Sequence, residues 1–269
     1  MEERRCIREW CYHRSVLTLL FACAPVTEQS PPTLEEMTRA GITDFWSDAE
    51  AGHVADLRAW LEENKGSETE GYYFEPLDPE VVAEIEHDDA VIWEECIGAG
   101  VVMRLDGTLD DYVAGAVEAD QSFADFTYSE WTRCTLDGDI DGFVAGADLS
   151  TDNHVEKTNL DITIPYDMYK DFRWFGDTLA SFTWVPRAGY NEVGDNGIVA
   201  GFTLEILYED DEGVVWYNGQ WSDLDTILDE FMTEEGALNL LIDGTRDYME
   251  GTEAHVLEGG EAARAEDCP

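Results

Sequence analysis

Residues 199–221 read Val-Ala-Gly-Phe-Thr-Leu-Glu-Ile-Leu-Tyr-Glu-Asp-Asp-Glu-Gly-Val-Val-Trp-Tyr-Asn-Gly-Gln-Trp. Phe202, Leu204, Ile206 and Tyr208 recur at every second position, the period of a strand with one buried face. Glu209–Gly213 is a polar turn, and 214–221 returns as a second apolar run. This is the pattern of an antiparallel hairpin. Upstream, Val101, Met103 and Leu105 alternate in the same way, as do Leu160, Ile162 and Ile164. Before residue 97 the period is helical. Thr33 and Glu36 fit a capping box. Val54, Leu57 and Leu61 repeat within a helix over about 47–63, and Asp78-Pro79-Glu80 reads as a further helix start with Val81, Val82 and Ile85 behind it. After the hairpin, Ser222 and Asp225 fit a second capping box. Leu224, Ile227, Leu228, Phe231 and Met232 form the stripe of a closing helix, and Gly236 breaks it ahead of Leu238, Leu241 and Ile242. Residues 251–269 are Gly-, Ala- and Glu-rich and read as a flexible acidic tail.

The order predicts an α+β fold with N-terminal helices, a curved antiparallel sheet and a C-terminal helix. The expected boundaries are a single domain over 34–250, helical over 34–95, sheet over 97–222 and closing helix over 223–250. In order alone this resembles helix-grip (START-like) domains, in which a curved sheet wraps a C-terminal helix over an apolar cavity. Those domains begin with a strand, and none is legible before residue 97.

The chain has 269 residues, with 61 Asp and Glu against 15 Lys and Arg, a formal charge of -46. A hydrophobic fraction of 44% supports a core. The charge excludes ordinary nucleic-acid binding, since phosphate is repelled. Lys65, Lys157 and Lys170 are the only lysines. Such a surface suits high salt, where the Debye length falls to about 3 Å at 1 M and self-repulsion is screened.

The first residues read as an export signal over 1–22. Arg4, Arg5, Arg8 and Arg14 precede the apolar stretch Val16–Ala22, which is too short to span a membrane. Leu20-Phe21-Ala22-Cys23 resembles the bacterial lipoprotein lipobox. The resemblance implies cleavage before a lipid-modified Cys23, a tether over 23–33 and attachment to a membrane through the lipid. Ala24 after the Cys leans toward the outer membrane in the enteric pattern. Export implies an oxidising compartment. Cys96 and Cys134, each beside an expected strand, are the expected disulfide, leaving Cys268 unpaired.

Asp137-Gly-Asp139-Ile-Asp141-Gly142-Phe-Val144-Ala-Gly-Ala-Asp148 matches much of a calcium-loop template, with Asp148 at its twelfth position resembling dockerin loops. Yet residues 105–116 match 136–147 at eight of twelve positions, and the earlier copy lacks the ligands at positions 3 and 12, Thr108 and Val117. What the copies share is apolar and small. Leu136, Gly138, Ile140, Gly142, Val144 and Gly146 fall on one face at period two, as on a strand, with Thr135, Asp137, Asp139 and Asp141 on the other. The strand reading is preferred, no metal or other cofactor is favoured, and calcium through Asp137, Asp139, Asp141 and Asp148 stands as the alternative.

Residues 166–190 carry eight aromatics and three cations, Lys170, Arg173 and Arg187. Tyr166, Tyr169, Phe172, Arg173, Trp174, Trp184 and Arg187 are candidates for a ligand wall, with aromatic surface and an Arg anchor for an anion. The competing reading, preferred on frequency, is a filled core. There is no G-x-S-x-G, P-loop, G-x-G-x-x-G or H-E-x-x-H motif. The leading functional expectation is a non-enzymatic, lipid-anchored envelope protein whose acidic domain binds or scaffolds a partner protein. The alternatives are a helix-grip domain holding a small apolar ligand and a calcium-binding module.

Overall fold

The computed structural model describes residues 32–46, 52–64, 71–159, 162–194, 196–225, 233–259 and 263–269, which lie in one unit, Pro32–Pro269. The lipobox-like stretch Leu20–Cys23, the strand position Leu160, and the stripe positions Ile227, Leu228, Phe231 and Met232 lie outside these residues. The helices are α1 (Leu34–Trp46), α2 (Gly52–Asn64), α3 (Leu109–Ala116), α4 (Ile140–Val144) and α5 (Glu234–Glu258). The strands are β1 (Tyr72–Phe74), β2 (Ile97–Leu105), β3 (Tyr128–Asp137), β4 (Leu149–Asn159), β5 (Ile162–Phe175), β6 (Thr178–Trp184), β7 (Gly189–Tyr190), β8 (Gly197–Asp210) and β9 (Gly213–Asp225). They form one antiparallel sheet in the order β1-β2-β9-β8-β6-β5-β4-β3, with β7 paired to β8.

The hairpin β8–β9 is central, closing on a two-residue turn with Asp210 opposite Gly213. Gly213 has φ +138°, and a Cβ there would stand 2.4 Å from the Leu105 carbonyl oxygen. Only Gly meets both demands. Phe202, Leu204, Ile206 and Tyr208 are buried on one face, as their period requires. That face packs against Ile42 and Phe45 of α1 and Leu57 and Leu61 of α2. Thr33 and Glu36 close the capping box that starts α1: the Thr33 N–H donates to Glu36 Oε2 at 2.7 Å, and the Glu36 N–H to Thr33 Oγ1 at 3.2 Å. Asp78 caps only one 3-10 turn, Pro79–Val82.

The other face carries α3, α4 and α5. Ala99, Val101, Leu105, Leu179, Leu207, Val214 and Trp216 pack there against Ile242 and Met249 of α5. Strand β2, helix α3, a 3-10 turn at Ser122–Ala124, the run of strands and then α5 reproduce the helix-grip order. A strand does precede residue 97, within the stretch expected to be helical: β1, three residues long, pairs with β2 at the sheet's edge. Helices α1 and α2 cover the sheet's outer face.

Several expectations need correction. Residues 222–225 complete β9 and are not a helix cap. The closing helix begins at Glu234, where Thr233 Oγ1 accepts from the Gly236 N–H at 3.1 Å, so Gly236 belongs to the first turn. The helix runs to Glu258 and ends on Gly259 in the left-handed region, φ +68°. The tail beyond it is tied down. Ala265 N–H donates to the Val117 carbonyl at 2.9 Å, Thr135 N–H to the Glu266 carbonyl at 2.9 Å and Cys268 N–H to the Thr135 carbonyl at 2.9 Å.

The disulfide is Cys134–Cys268, not Cys96–Cys134. Cys96 precedes β2 and Cys134 lies on β3, toward opposite edges of the sheet. Cys96 is buried and free. Burial and the nearby Asp223 charge push its thiol up to about 12, with Arg39 opposing. Alkylation at pH 8 should therefore modify Cys96 ~1,000-fold more slowly in the native protein than after denaturation. Mass-spectrometric mapping of the labelled site checks this; labelling at equal rates would contradict the burial.

The internal repeat is also not a strand face. Each copy is a strand end, a left-handed glycine and a capped helix. Gly107 (φ +100°) and Gly138 (φ +89°) make the turns. Thr108 caps α3 and Asp139 caps α4, the latter accepting from the Gly142 N–H at 2.7 Å. Leu136 and Val144, expected on a buried face, are exposed. Of the calcium template's acids, Asp139 is engaged by its cap, Asp141 accepts from Arg264 at 2.9 Å, and Asp148 accepts from the Trp174 N–H at 3.4 Å.

Candidate ligand cavity between the sheet and the closing helix

Side chains facing α5 alternate along each strand, and the register aligns them across the sheet. Arg133 of β3 lies opposite Asn153 of β4, Thr151 of β4 opposite Lys170 of β5, and Phe172 of β5 opposite Ser181 of β6. Ser181 lies opposite Glu205 of β8, and Glu205 opposite Asn218 of β9. A polar stripe therefore crosses a face that is otherwise apolar.

The stripe is buried: Arg133 is 5% exposed, Lys170 6% and Glu205 2%. Lys170 Nζ pairs with Glu205 Oε2. Ser181 Oγ donates to the same oxygen at 2.7 Å, and Asn218 Nδ2 to Glu205 Oε1 at 3.2 Å. Burial pushes the Glu205 carboxyl up, but the Lys170 charge and these three hydrogen bonds outweigh it and hold it below the ordinary range. Burial, together with the Arg133 charge, holds Lys170 below its own ordinary value despite the pull of Glu205. The two directions favour opposite states of the pair. The ionised state is the one adopted here, because Glu205 accepts from three donors and has no other way to satisfy them.

Arg133 is held differently. Its Nε donates to Asn153 Oδ1 at 2.7 Å and its Nη1 to the Ala116 carbonyl. Its guanidinium lies near the Trp131 and Phe172 rings. Burial pushes it down to about 10, against Tyr248 and Glu205, so it stays charged at neutral pH. Among the described residues it pairs with no carboxylate, and its Nη2 has no acceptor. Nearby Glu118 is engaged by His255 at 2.8 Å.

These groups border a cavity of about 30 Å³, room for one or two waters. Arg133, Lys170, Glu205, Phe172, Trp216 and Tyr248 are among its walls. Trp216 Nε1 is buried without a hydrogen-bond partner, and so is Asn218 Oδ1 beside Glu205. A wider groove of about 380 Å³ lies on the outer face by Arg58, Glu62 and Asp177. It opens to solvent, and Arg58 is bound to Asp177. The smaller cavity is the better candidate because Trp216, whose Nε1 is buried without a partner, and the buried Lys170–Glu205 pair stand on its walls.

The seven expected wall residues do not form one wall. Phe172 lines the cavity. Tyr166 and Trp174 share its face but pack elsewhere, Tyr166 beside Trp131 and Met168, and Trp174 against Phe143 of α4. Tyr169 and Trp184 pair across β5 and β6 on the opposite face, rings 5.3 Å apart. Arg173 on that face lies over Phe45. Arg187 is exposed near Glu86. Arg133 and Glu205 were missed because single charges within strands are unremarkable in so acidic a chain. Their available signal was position: each interrupts a strand at a place where its period demands an inward residue.

No protein-family model matches the chain, and no curated protein sequence matches it. Solved structures similar to it include human STARD10, at 6% identity and TM-score 0.46, covering 82% of this chain and 91% of that one. A STAR-related lipid transfer protein from Xanthomonas axonopodis is 11% identical at TM-score 0.43, covering 61% and 87%. TTHA0849 from Thermus thermophilus is 10% identical at TM-score 0.41, covering 61% and 99%.

Proposed function

We propose that this protein holds a small amphipathic ligand between its sheet and α5. The observation that carries this reading is the unpartnered Trp216 Nε1 at the wall of a cavity that also contains a buried ion pair. Leaving a buried polar group unpaired costs about 1–3 kcal/mol, a cost that a ligand or water relieves. Phe172, Leu207 and Tyr248 offer apolar surface beside it for a ligand's body. A ligand larger than the present space enters by displacement of α5 or α3. No catalytic motif accompanies the site, so holding rather than turnover is the function proposed. Thermal unfolding with a panel of small aliphatic and aromatic amphipaths tests it. At least one class should raise the melting temperature in a saturable way, and no shift from any of them would remove the reading.

The lipobox supports a further element of the proposal: the domain is tethered at the cell envelope, in the outer membrane, through lipid on Cys23. Several acyl chains hold firmly where one is marginal. Mass spectrometry of the mature N-terminus should find acylated Cys23. An unmodified N-terminus elsewhere would end this part of the account.

A further inference from the structure

The cavity's charge points to the class of ligand. Arg133 and Lys170 supply two positive charges, and Glu205 supplies one negative charge that Lys170 and its hydrogen bonds already satisfy. One guanidinium charge is left over, buried in a protein whose formal charge is -46. With 61 carboxylates in the chain, Arg133 nevertheless has none as a partner among the described residues. It is fixed instead by neutral acceptors, Asn153 Oδ1 and the Ala116 carbonyl. Those bonds use Nε and Nη1 and leave Nη2 free among the described residues. An isolated buried charge is costly unless paired. Trp216 Nε1 is a second unfilled donor on the wall of the same cavity. Two donors without acceptors, one of them charged, in a space bounded by aromatic rings, describe a receptor for a negatively charged acceptor group on an apolar body.

Building on the ligand-holding reading above, we infer that the ligand is a monocarboxylic acid, with its carboxylate held by Arg133 and Trp216 Nε1. Lys170 remains with Glu205 and sets the positive background. The acid completes the charge balance of the cavity and relieves both unfilled donors. A neutral amphipath of the same length fills the apolar part and leaves the guanidinium uncompensated.

Octanoate and octan-1-ol, titrated into the whole protein at fixed ionic strength and followed by calorimetry, separate the two levels of the proposal. Octanoate should bind at least about tenfold more tightly than octan-1-ol, the equivalent of one charge-assisted hydrogen bond. Equal binding of both would overturn the carboxylate assignment and leave the ligand-holding reading standing. Binding of neither would overturn both. Trp216→Phe keeps an aromatic ring and removes the N–H, so the apo fold should be retained. It should weaken octanoate about fivefold or more and leave octan-1-ol unchanged. An octanoate affinity unaffected by Trp216→Phe and by Arg133→Gln, in variants that still unfold cooperatively, would place the acid elsewhere and overturn the assignment.

Discussion

Glu205→Ala is expected to destabilise the protein by about 3–5 kcal/mol, because it leaves the Lys170 ammonium buried without its partner. The change also frees the Ser181 hydroxyl and the Asn218 amide, which both donate to Glu205. Glu205→Gln retains the shape and tests the charge alone. The folded state holds the Glu205 carboxyl below its unfolded value, which lies near about 4.3 for an ordinary Glu. Its stabilising contribution is therefore present above that value and is lost as the pH falls through the lower, folded one. The gap between parent and Glu205→Gln should be full at pH 7 and should shrink steadily below about pH 4. Urea unfolding of both proteins from neutral pH down to about pH 3 measures it. A gap that persists unchanged at the acid end would mean the pair is not ionised in the way the hydrogen bonds imply.

The second large effect belongs to the disulfide. Cys134 and Cys268 are 134 residues apart in sequence, so the bond closes nearly half the chain. Loop-closure entropy for such a length corresponds to about 4–5 kcal/mol. Cys268→Ser should lower stability by that order. Hydrogen exchange should show loss of protection first at Ala119 and Thr135, whose N–H groups donate to the tail, and at Ala265 and residue 268 within it. Cys96→Ser, in contrast, should leave the disulfide intact. A Cys268→Ser variant as stable as the parent would mean that the backbone bonds alone hold the tail.

What was legible in the sequence was local. The alternation at Phe202, Leu204, Ile206 and Tyr208 needs only the two-residue period of a strand, and the Thr33–Glu36 box needs only one turn of helix. Both are found where expected. The face to which that alternation points was not legible, since it depends on α1 and α2 folding back over the sheet. The second copy of the repeat misled because Leu136, Gly138, Ile140, Gly142, Val144 and Gly146 fall at period two. The left-handed turn at Gly138 and the cap at Asp139 override that period. The disulfide was illegible because spacing does not determine connectivity. The site was half visible. Lys170 and Phe172 stood within the aromatic segment, but that segment divides between two faces, and the other charged members, Arg133 and Glu205, come from strands far along the chain.

The most direct measurement is a crystal structure of the protein grown with octanoate. The acid should lie between α5 and the sheet, its carboxylate within hydrogen-bonding distance of Arg133 and Trp216, with α5 or α3 displaced to admit its chain. An unchanged cavity, with octanoate on the outer groove by Arg58 or bound nowhere, would contradict this placement.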